Sequence, residues 1–524
     1  MEKKFWKNPV FGISAAVIGV LVVLGAVMPV RFGAVADRMY AFTTRSFGWF
    51  YLLVVFALIV FLIGLAISKY GAIRLGGDEE RPDYPFFTWI GMLFSAGFGV
   101  GLVFYGVAEP MSHYISAPVS GVQPSSEEAA RLAMGYSFFH WGISQWAIFG
   151  LVGLVIAFLQ FRKKKDGLIS TALEPIVGSN RYLKGGIDSF AVIATVMGIA
   201  TSIGLGVLQM SGGLEYAFDV KNTFFVQFAI IAVVCAAYLL SASTGLNKGI
   251  RYLGNFNLAL AIAMLVFFFI VGPKVFILDT FTLAIGDYIT NFIQYSLRLQ
   301  PYGEGTWVQK WTIFYWAWTI AWSPFVGAFV ARVSKGRTIR EFIIGVMVIP
   351  PVFACMWIAT LGGTALYSDL KNGTKIGEAV DQDVTAALFE TFQHMPFTGL
   401  MTVLAIILIF TFLITSADSA TYILASMTTR GSLLPPMAVK MIWGILMSAI
   451  AAVLLYAGGL EALQSASLVS ALPFCLFLII MLFALVKVLK KEPITVRPRD
   501  IRRFEKIEAE YKKHQKRKRD KNVK

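Results

Sequence analysis

Long apolar runs alternate along this chain with short polar ones, at intervals too wide for the helices of a soluble core. Runs able to cross about 30 Å of hydrocarbon lie near residues 11–30, 50–69, 87–108, 135–160, 188–212, 223–241, 253–273, 311–331, 342–365, 398–427, 438–458 and 467–488. The pattern predicts an all-α polytopic membrane protein with twelve transmembrane helices. The first run follows "MEKKFWKN" as a secretory signal would, but its length and the lack of a small-residue cleavage site read as a retained helix. The segment "TFTLAIGDYITNFIQYSLRLQ", residues 280–300, keeps helical spacing but carries Asp287 and Arg298. It predicts an amphipathic helix lying along the outer face.

Composition strengthens this picture: 57% of residues are hydrophobic and only 15% charged, against about 25% charged in ordinary soluble domains. The net charge of +15 is concentrated in the last 35 residues, "KKEPITVRPRDIRRFEKIEAEYKKHQKRKRDKNVK", and in short loops. A cytoplasmic membrane face accounts for it, with anionic lipids as the partner of the tail and no nucleic acid implied. With the N-terminus inside, "FRKKKDG", "ARVSKGRTIRE" and the tail fall on the cytoplasmic side, which then holds roughly 36 of the 46 basic residues. Both termini are therefore expected in the cytoplasm, at the cell membrane. Cys235, Cys355 and Cys475 lie inside apolar runs and read as small buried hydrophobes.

Two spans look unusual. The third contains "SAGFGVGLVFYG", with Gly97, Gly99 and Gly101 at a spacing from which a regular helix gains nothing. The eighth contains "WSPFVG", where Pro324 removes a backbone donor. Spans three to seven and eight to twelve make two sets of five, and an odd number forces opposite topology. Interrupted helices at matching places of inverted halves point to the central site of a transporter; close packing of small residues is the plainer reading of the glycines.

Trp311, Tyr315, Trp318 and Trp322 are spaced four, three and four residues apart, one stripe of a helix. Trp311 and Trp316 read as interfacial tryptophans, whereas Trp318 and Trp322 lie deeper. In "FFHWGISQWAIFG" the fourth span offers Trp141, Trp146 and Phe149 on one arc. Aromatic faces converging from two helices make a box suited to a quaternary ammonium through cation–π attraction, with no carboxylate required.

With "AGFGVGLVFYGVAEP", "FFHWGISQWAIF", "WTIFYWAWTIAWSPFVG" followed by "ARVSKGRTIREF", and "ITSADSAT" in order along the chain, the sequence resembles the betaine-choline-carnitine transporter family over nearly its whole length. The resemblance implies sodium-symporter-like inverted five-helix repeats preceded by two extra helices, assembled as a homotrimer. On that frame residues 1–86 form the N-terminus and extra helices, 87–273 the first repeat, 274–310 the outer amphipathic helix and linker, 311–488 the second repeat and 489–524 the basic tail.

The family cage carries over onto Trp141, Trp146, Phe149, Trp318 and Trp322, with Phe149 where a glycine betaine member has tyrosine and Thr319 where many members have another tryptophan. The backbone of Ala96, Phe98 and Gly99 would receive the substrate carboxylate. One sodium site would draw oxygens from Ser95, Phe98, Phe412, Thr415 and Ser416. A second would use Thr195 and Phe325, but Ile199 stands where the family has its second threonine. Asn257 and Val326 occupy the places where sodium-independent exchangers carry arginine and methionine, which favours cation coupling.

The implied function is sodium-coupled uptake of glycine betaine for osmoprotection, with sodium as the coupling ion and no organic cofactor. Choline or carnitine, by proton coupling or exchange, is the alternative, and a membrane enzyme or sensor a remote one. No HExxH, CxxC, GxSxG or Walker-type motif occurs. Asp418 reads as a hydroxyl-bonded structural group or a functional carboxylate, Glu109 as a gate or loop contact, and His140 as a packed core histidine.

Overall fold

A computed structural model describes residues 8–97, 99–119, 121–244, 249–302, 305–493, 506–512 and 514, with backbone alone for 95, 96, 244 and 249–251. Its helices run α1 (Pro9–Val27), α2 (Pro29–Ile67), α3 (Phe86–Gly97), α4 (Val100–Ile115), α5 (Glu127–Trp141), α6 (Ile143–Ala157), α7 (Ile169–Val177), α8 (Arg181–Phe218), α9 (Phe224–Thr244), α10 (Gly249–Val271), α11 (Lys274–Ser296), α12 (Phe314–Val333), α13 (Ile339–Asn372), α14 (Ile376–Gln382), α15 (Ala387–Gln393), α16 (Thr398–Thr428) and α17 (Met437–Leu489). Among the described residues ten helices are long and apolar enough to cross a membrane. The difference from the twelve expected has two local causes. The third expected span is two shorter helices, α3 and α4, joined through extended backbone at Gly99 (φ −120°, ψ −160°). The last two lie in the single 53-residue run of α17. A straight helix of that length would reach about 80 Å at 1.5 Å per residue, and the run is broken by non-helical backbone at Gly458 and Gly459, whose φ is +58°.

The fourth span is also interrupted, which the sequence pattern did not show. Gly142 is extended (φ −81°, ψ −151°) between α5 and α6, and Tyr288 of α11 occupies the gap, its hydroxyl accepting the Ile143 N–H at 3.0 Å. A Cβ at position 142 would stand 2.4 Å from that hydroxyl. The expected break at Pro324, by contrast, does not occur: α12 continues through it. Proline cannot donate to the Ile320 carbonyl one turn back, and the Ser323 hydroxyl does so instead, at 2.8 Å. The irregular turn of this span lies at its start, a π-helical Gln309–Ile313.

Helix α11, the expected amphipathic helix, is not among the ten apolar ones. It turns Tyr288 and Tyr295 inward, and its Asp287 takes both arms of the Arg131 guanidinium at 2.7 Å. Outward faces of α1, α2, α9 and α10 expose valine, phenylalanine and isoleucine, the surface a lipid solvent accepts. On the side expected to be cytoplasmic, the chain before α3 pairs with the chain after α12 through Leu75 and Ile73 to Gly336, Arg337 and Ile339. Arg162, at the end of the fourth span, holds Glu492 and Asp78 at 2.7 and 2.8 Å, and Lys163 also meets Glu492. The root of the tail is thus clasped to the loops that flank α3 to α6. Beyond it, residues 506–512 are helical.

Candidate substrate site

The glycines of the third span are seats for indole rings. A Cβ on Gly97 would lie 2.1 Å from Trp146, and one on Gly101 2.3 Å from Trp318 and 3.2 Å from Trp141. At Gly99 the nearest atoms belong to Trp322 and Ser416, at 3.6 and 3.7 Å. The spacing of two therefore has a steric cause: backbone must pass directly beneath large rings contributed by α5, α6 and α12.

Around this backbone Trp318 and Trp322 stack at 6.1 Å with their planes 13° apart. Trp141 meets Trp318 edge-on at 6.3 Å, Phe149 meets Trp322 at 5.8 Å, and Trp146 meets Phe149 at 5.7 Å. All five rings predicted for the cage are buried. Trp141, Trp318 and Trp322, with Gln145, Ser202 and Ser416 among others, bound a cavity of about 20 Å³; Trp146 and Phe149 stand one layer back. That volume holds about one water molecule. A larger guest requires the lining to move apart.

Gln145 was not singled out by the sequence pattern. Its side-chain oxygen is buried without a hydrogen-bond partner on a residue that lines the cavity. Ser202 receives the Trp318 indole N–H at 3.3 Å.

The predicted sodium ligands are placed less completely. Phe98 and the side chains of Ser95 and Ala96 lie outside the described residues. The Thr415 hydroxyl reaches the Phe412 carbonyl at 3.0 Å and accepts from Asn257 at 3.2 Å, while Ser416 borders the cavity. The hydroxyl and carbonyl oxygens here are the hard donors that a small cation takes. Of the second set, the Thr195 hydroxyl bonds the Ala191 carbonyl at 2.7 Å and Phe325 lies against Trp322. Ile199 is drawn to the cavity wall.

Other residues find different surroundings from those the pattern implied. Trp316 packs on Phe139 at 5.3 Å inside the protein, and Trp311 on His113 at 4.5 Å, so neither is a simple interfacial ring. Asp418, by contrast, keeps the hydroxyl bond expected of a structural group, accepting from Ser241 at 2.5 Å. Glu109, with no exposed surface, collects Trp141 Nε1 at 2.9 Å and Tyr315 Oη at 2.5 Å on Oε2, and His140 Nδ1 at 2.6 Å and His113 Nε2 at 3.2 Å on Oε1.

Glu109, His113 and His140 bring three potential ligand atoms within 4.8 Å of one another, so a metal ion has to be considered. Tautomer chemistry argues against it. The Trp307 indole, a donor only, donates to His113 Nδ1 at 3.3 Å, which places the His113 ring proton on Nε2, facing Glu109. His140 likewise turns Nδ1 to the carboxylate, with Nε2 on the Thr312 hydroxyl at 2.9 Å. His113 thus points an N–H at the carboxylate, and His140 does the same wherever Glu109 is ionised, because a carboxylate only accepts; neither then leaves a lone pair there for a metal.

Buried aromatic rings set on a glycine-rich break among membrane-length helices fit a transporter, and the family that the sequence matches is one of transporters, not enzymes. The chain belongs to the BCCT family, the betaine/carnitine/choline family transporters, whose profile matches residues 9–494. It is 60% identical over 491 residues to an ectoine/hydroxyectoine transporter of Virgibacillus pantothenticus, covering 94% of this chain and 98% of that one. It is 46% identical over 505 residues to the glycine betaine transporter OpuD of Bacillus subtilis, covering 96% and 97%. A probable glycine betaine transporter of Desulfitobacterium hafniense shares 43% over 497 residues, covering 94% and 99%.

Proposed function

We propose that this protein takes up glycine betaine by sodium symport across the cell membrane, with both termini in the cytoplasm, and serves osmoprotection. The observation that supports this is the cage itself: stacked Trp318 and Trp322 facing Trp141 over the backbone of Gly99 and Gly101. Indole faces attract a quaternary ammonium without hydrogen bonds, and the interrupted backbone beside them offers N–H groups to a carboxylate. Thr415, Ser416 and the Phe412 carbonyl, with Ser95 and Phe98, would hold the coupling sodium; Thr195 and Phe325 would serve a second ion. At about 100 mV each inward charge supplies about 2.3 kcal/mol, and a tenfold ion gradient adds about 1.4 kcal/mol. In this reading the repeats span 87–273 and 311–488, three copies assemble, and the basic tail lies on anionic lipid.

Ectoine is the second reading, and the Gln145 oxygen favours it. A cyclic amidinium carries N–H donors, which an unpartnered buried acceptor on the cavity wall would satisfy; a trimethylammonium group has none to offer. The relative from Virgibacillus pantothenticus adds weight. Proteoliposome uptake of labelled glycine betaine and labelled ectoine, each with and without a sodium gradient, tests both. Sodium-driven accumulation of glycine betaine supports the first reading. Accumulation of ectoine alone replaces it with the second, and transport indifferent to sodium removes the coupling.

A further inference from the structure

Glu109 is among the buried ionisable groups that the cage does not use. Glu109 sits on α4, two turns past Gly101 and toward the expected outer face, and among the described residues no lysine or arginine pairs with it. A carboxylate in such a place is costly unless hydrogen bonds replace its lost water. Here they do: Trp141, Tyr315, His113 and His140 direct four donors at its two oxygens, the full acceptor capacity of an ionised carboxylate. The Trp141 indole on one oxygen and the His113 Nε2–H on the other can only donate, so the arrangement favours the anion.

One of those four donors belongs to a ring of the substrate site, and a second to the ring packed against it. Trp141 borders the cavity, and Tyr315 packs edge-on against it at 5.7 Å. An indole N–H or phenol O–H given to an anion shifts electron density into its ring, and the ring face is what attracts a cation. In a low-dielectric interior the charge of Glu109 is also weakly screened. We infer that Glu109 is a positioning and specificity-determining residue: an anion behind the cage that orients Trp141 and Tyr315 and charges their faces, so that the site prefers a cationic headgroup to an uncharged one of the same shape. The proposal rests on the cage reading above.

The discriminating probe is a pair of isosteres. Glycine betaine and tert-butylacetate share shape and carboxylate and differ in whether nitrogen with its charge or carbon carries the three methyl groups. Binding of each to the purified full-length protein is read by tryptophan fluorescence for the wild type, Glu109→Gln and Glu109→Asp, with thermal stability measured in parallel. Glu109→Gln is expected to weaken glycine betaine by roughly tenfold, on the scale of a cation–π contact, and to leave tert-butylacetate nearly unchanged, so that discrimination collapses. Glu109→Asp, which keeps the charge, is expected to recover part of it. Equal losses for both ligands, with or without lower stability, would reduce Glu109 to a structural tie and overturn the inference, as would unchanged discrimination. A wild type that fails to prefer glycine betaine over tert-butylacetate overturns the cage reading itself, a result separate from any effect of the variants.

Discussion

Gly101 lies directly beneath Trp318, so close that a single methyl at position 101 would stand 2.3 Å from the ring. Gly99, two residues earlier, keeps ordinary contact distances of 3.6 Å or more. Gly101→Ala is therefore expected to push Trp318 out of its seat and abolish measurable uptake, with a stability loss of about 1–3 kcal/mol from overpacking. Gly99→Ala, in extended backbone open to any residue, is expected to fold normally. Uptake and thermal unfolding of the two variants side by side check the contrast.

The cage rings themselves carry the second prediction. Trp322→Leu and Trp146→Leu keep apolar bulk but remove the quadrupole, and each is expected to raise the apparent KM for a quaternary ammonium substrate by about 1–2 kcal/mol, or roughly five- to thirtyfold. The loss at Trp146, which stands one layer behind the cavity, is expected to be the smaller. Unchanged KM in both would refute the cage.

Coupling is tested by oxygen deletion. Thr415→Ala with Ser416→Ala removes two hydroxyls and leaves all five rings in place, so half-activation by sodium is expected to move to much higher concentration. Titrating uptake against external sodium gives the answer directly, and an unaltered curve would assign the ion elsewhere.

The clasp at the tail root has a definite pH signature. Burial pushes the Glu492 carboxyl up, but hydrogen bonds and charge from Lys163 and Arg162 outweigh it and hold it below the usual carboxylate value. A depressed folded value stabilises the clasp fully above about pH 4.3, the ordinary glutamate value, and the contribution fades as pH falls through the lowered one. Glu492→Gln is expected to cost about 1–2 kcal/mol at neutral pH, and to flatten the acid side of the thermal stability profile. A variant with the wild-type profile would show that the clasp adds nothing.

Because His113 presents its proton to Glu109 and an ionised Glu109 takes one from His140 as well, transport is expected to be indifferent to chelators and to added zinc. Uptake assayed after prolonged chelation checks this; a loss restored by zinc would mean that the tautomers are set by a metal.

What the sequence made legible was what repeats along a helix. Trp318 and Trp322 are four apart on unbroken α12, and their stacking follows from that spacing. Trp141 and Trp146 were read as an arc of one helix, yet Gly142 ends α5 between them. They reach the same cage from two helices because Tyr288, far along the chain, fills the break. The Glu109 network was invisible for a similar reason: its partners His140 and Tyr315 lie 31 and 206 residues away. Only the oddity of a carboxylate in an apolar run hinted at it. Pro324 misled in the opposite direction, since a neighbouring serine repaired the helix it was expected to break.

The smallness of the central cavity bears on how any measured affinity should be understood. A site with about 20 Å³ of room has to widen before a larger guest can enter, and widening belongs to the binding equilibrium. Apparent affinity is the intrinsic affinity of the open cage scaled by the fraction of molecules that are open: at about one in a hundred, an apparent Kd is weakened about a hundredfold. Tightly seated rings thus select and resist at once. A substitution that loosens a ring from its glycine without touching the substrate would raise affinity by enlarging the competent population, and the most retentive binder of this fold need not be the one with the most aromatic cage.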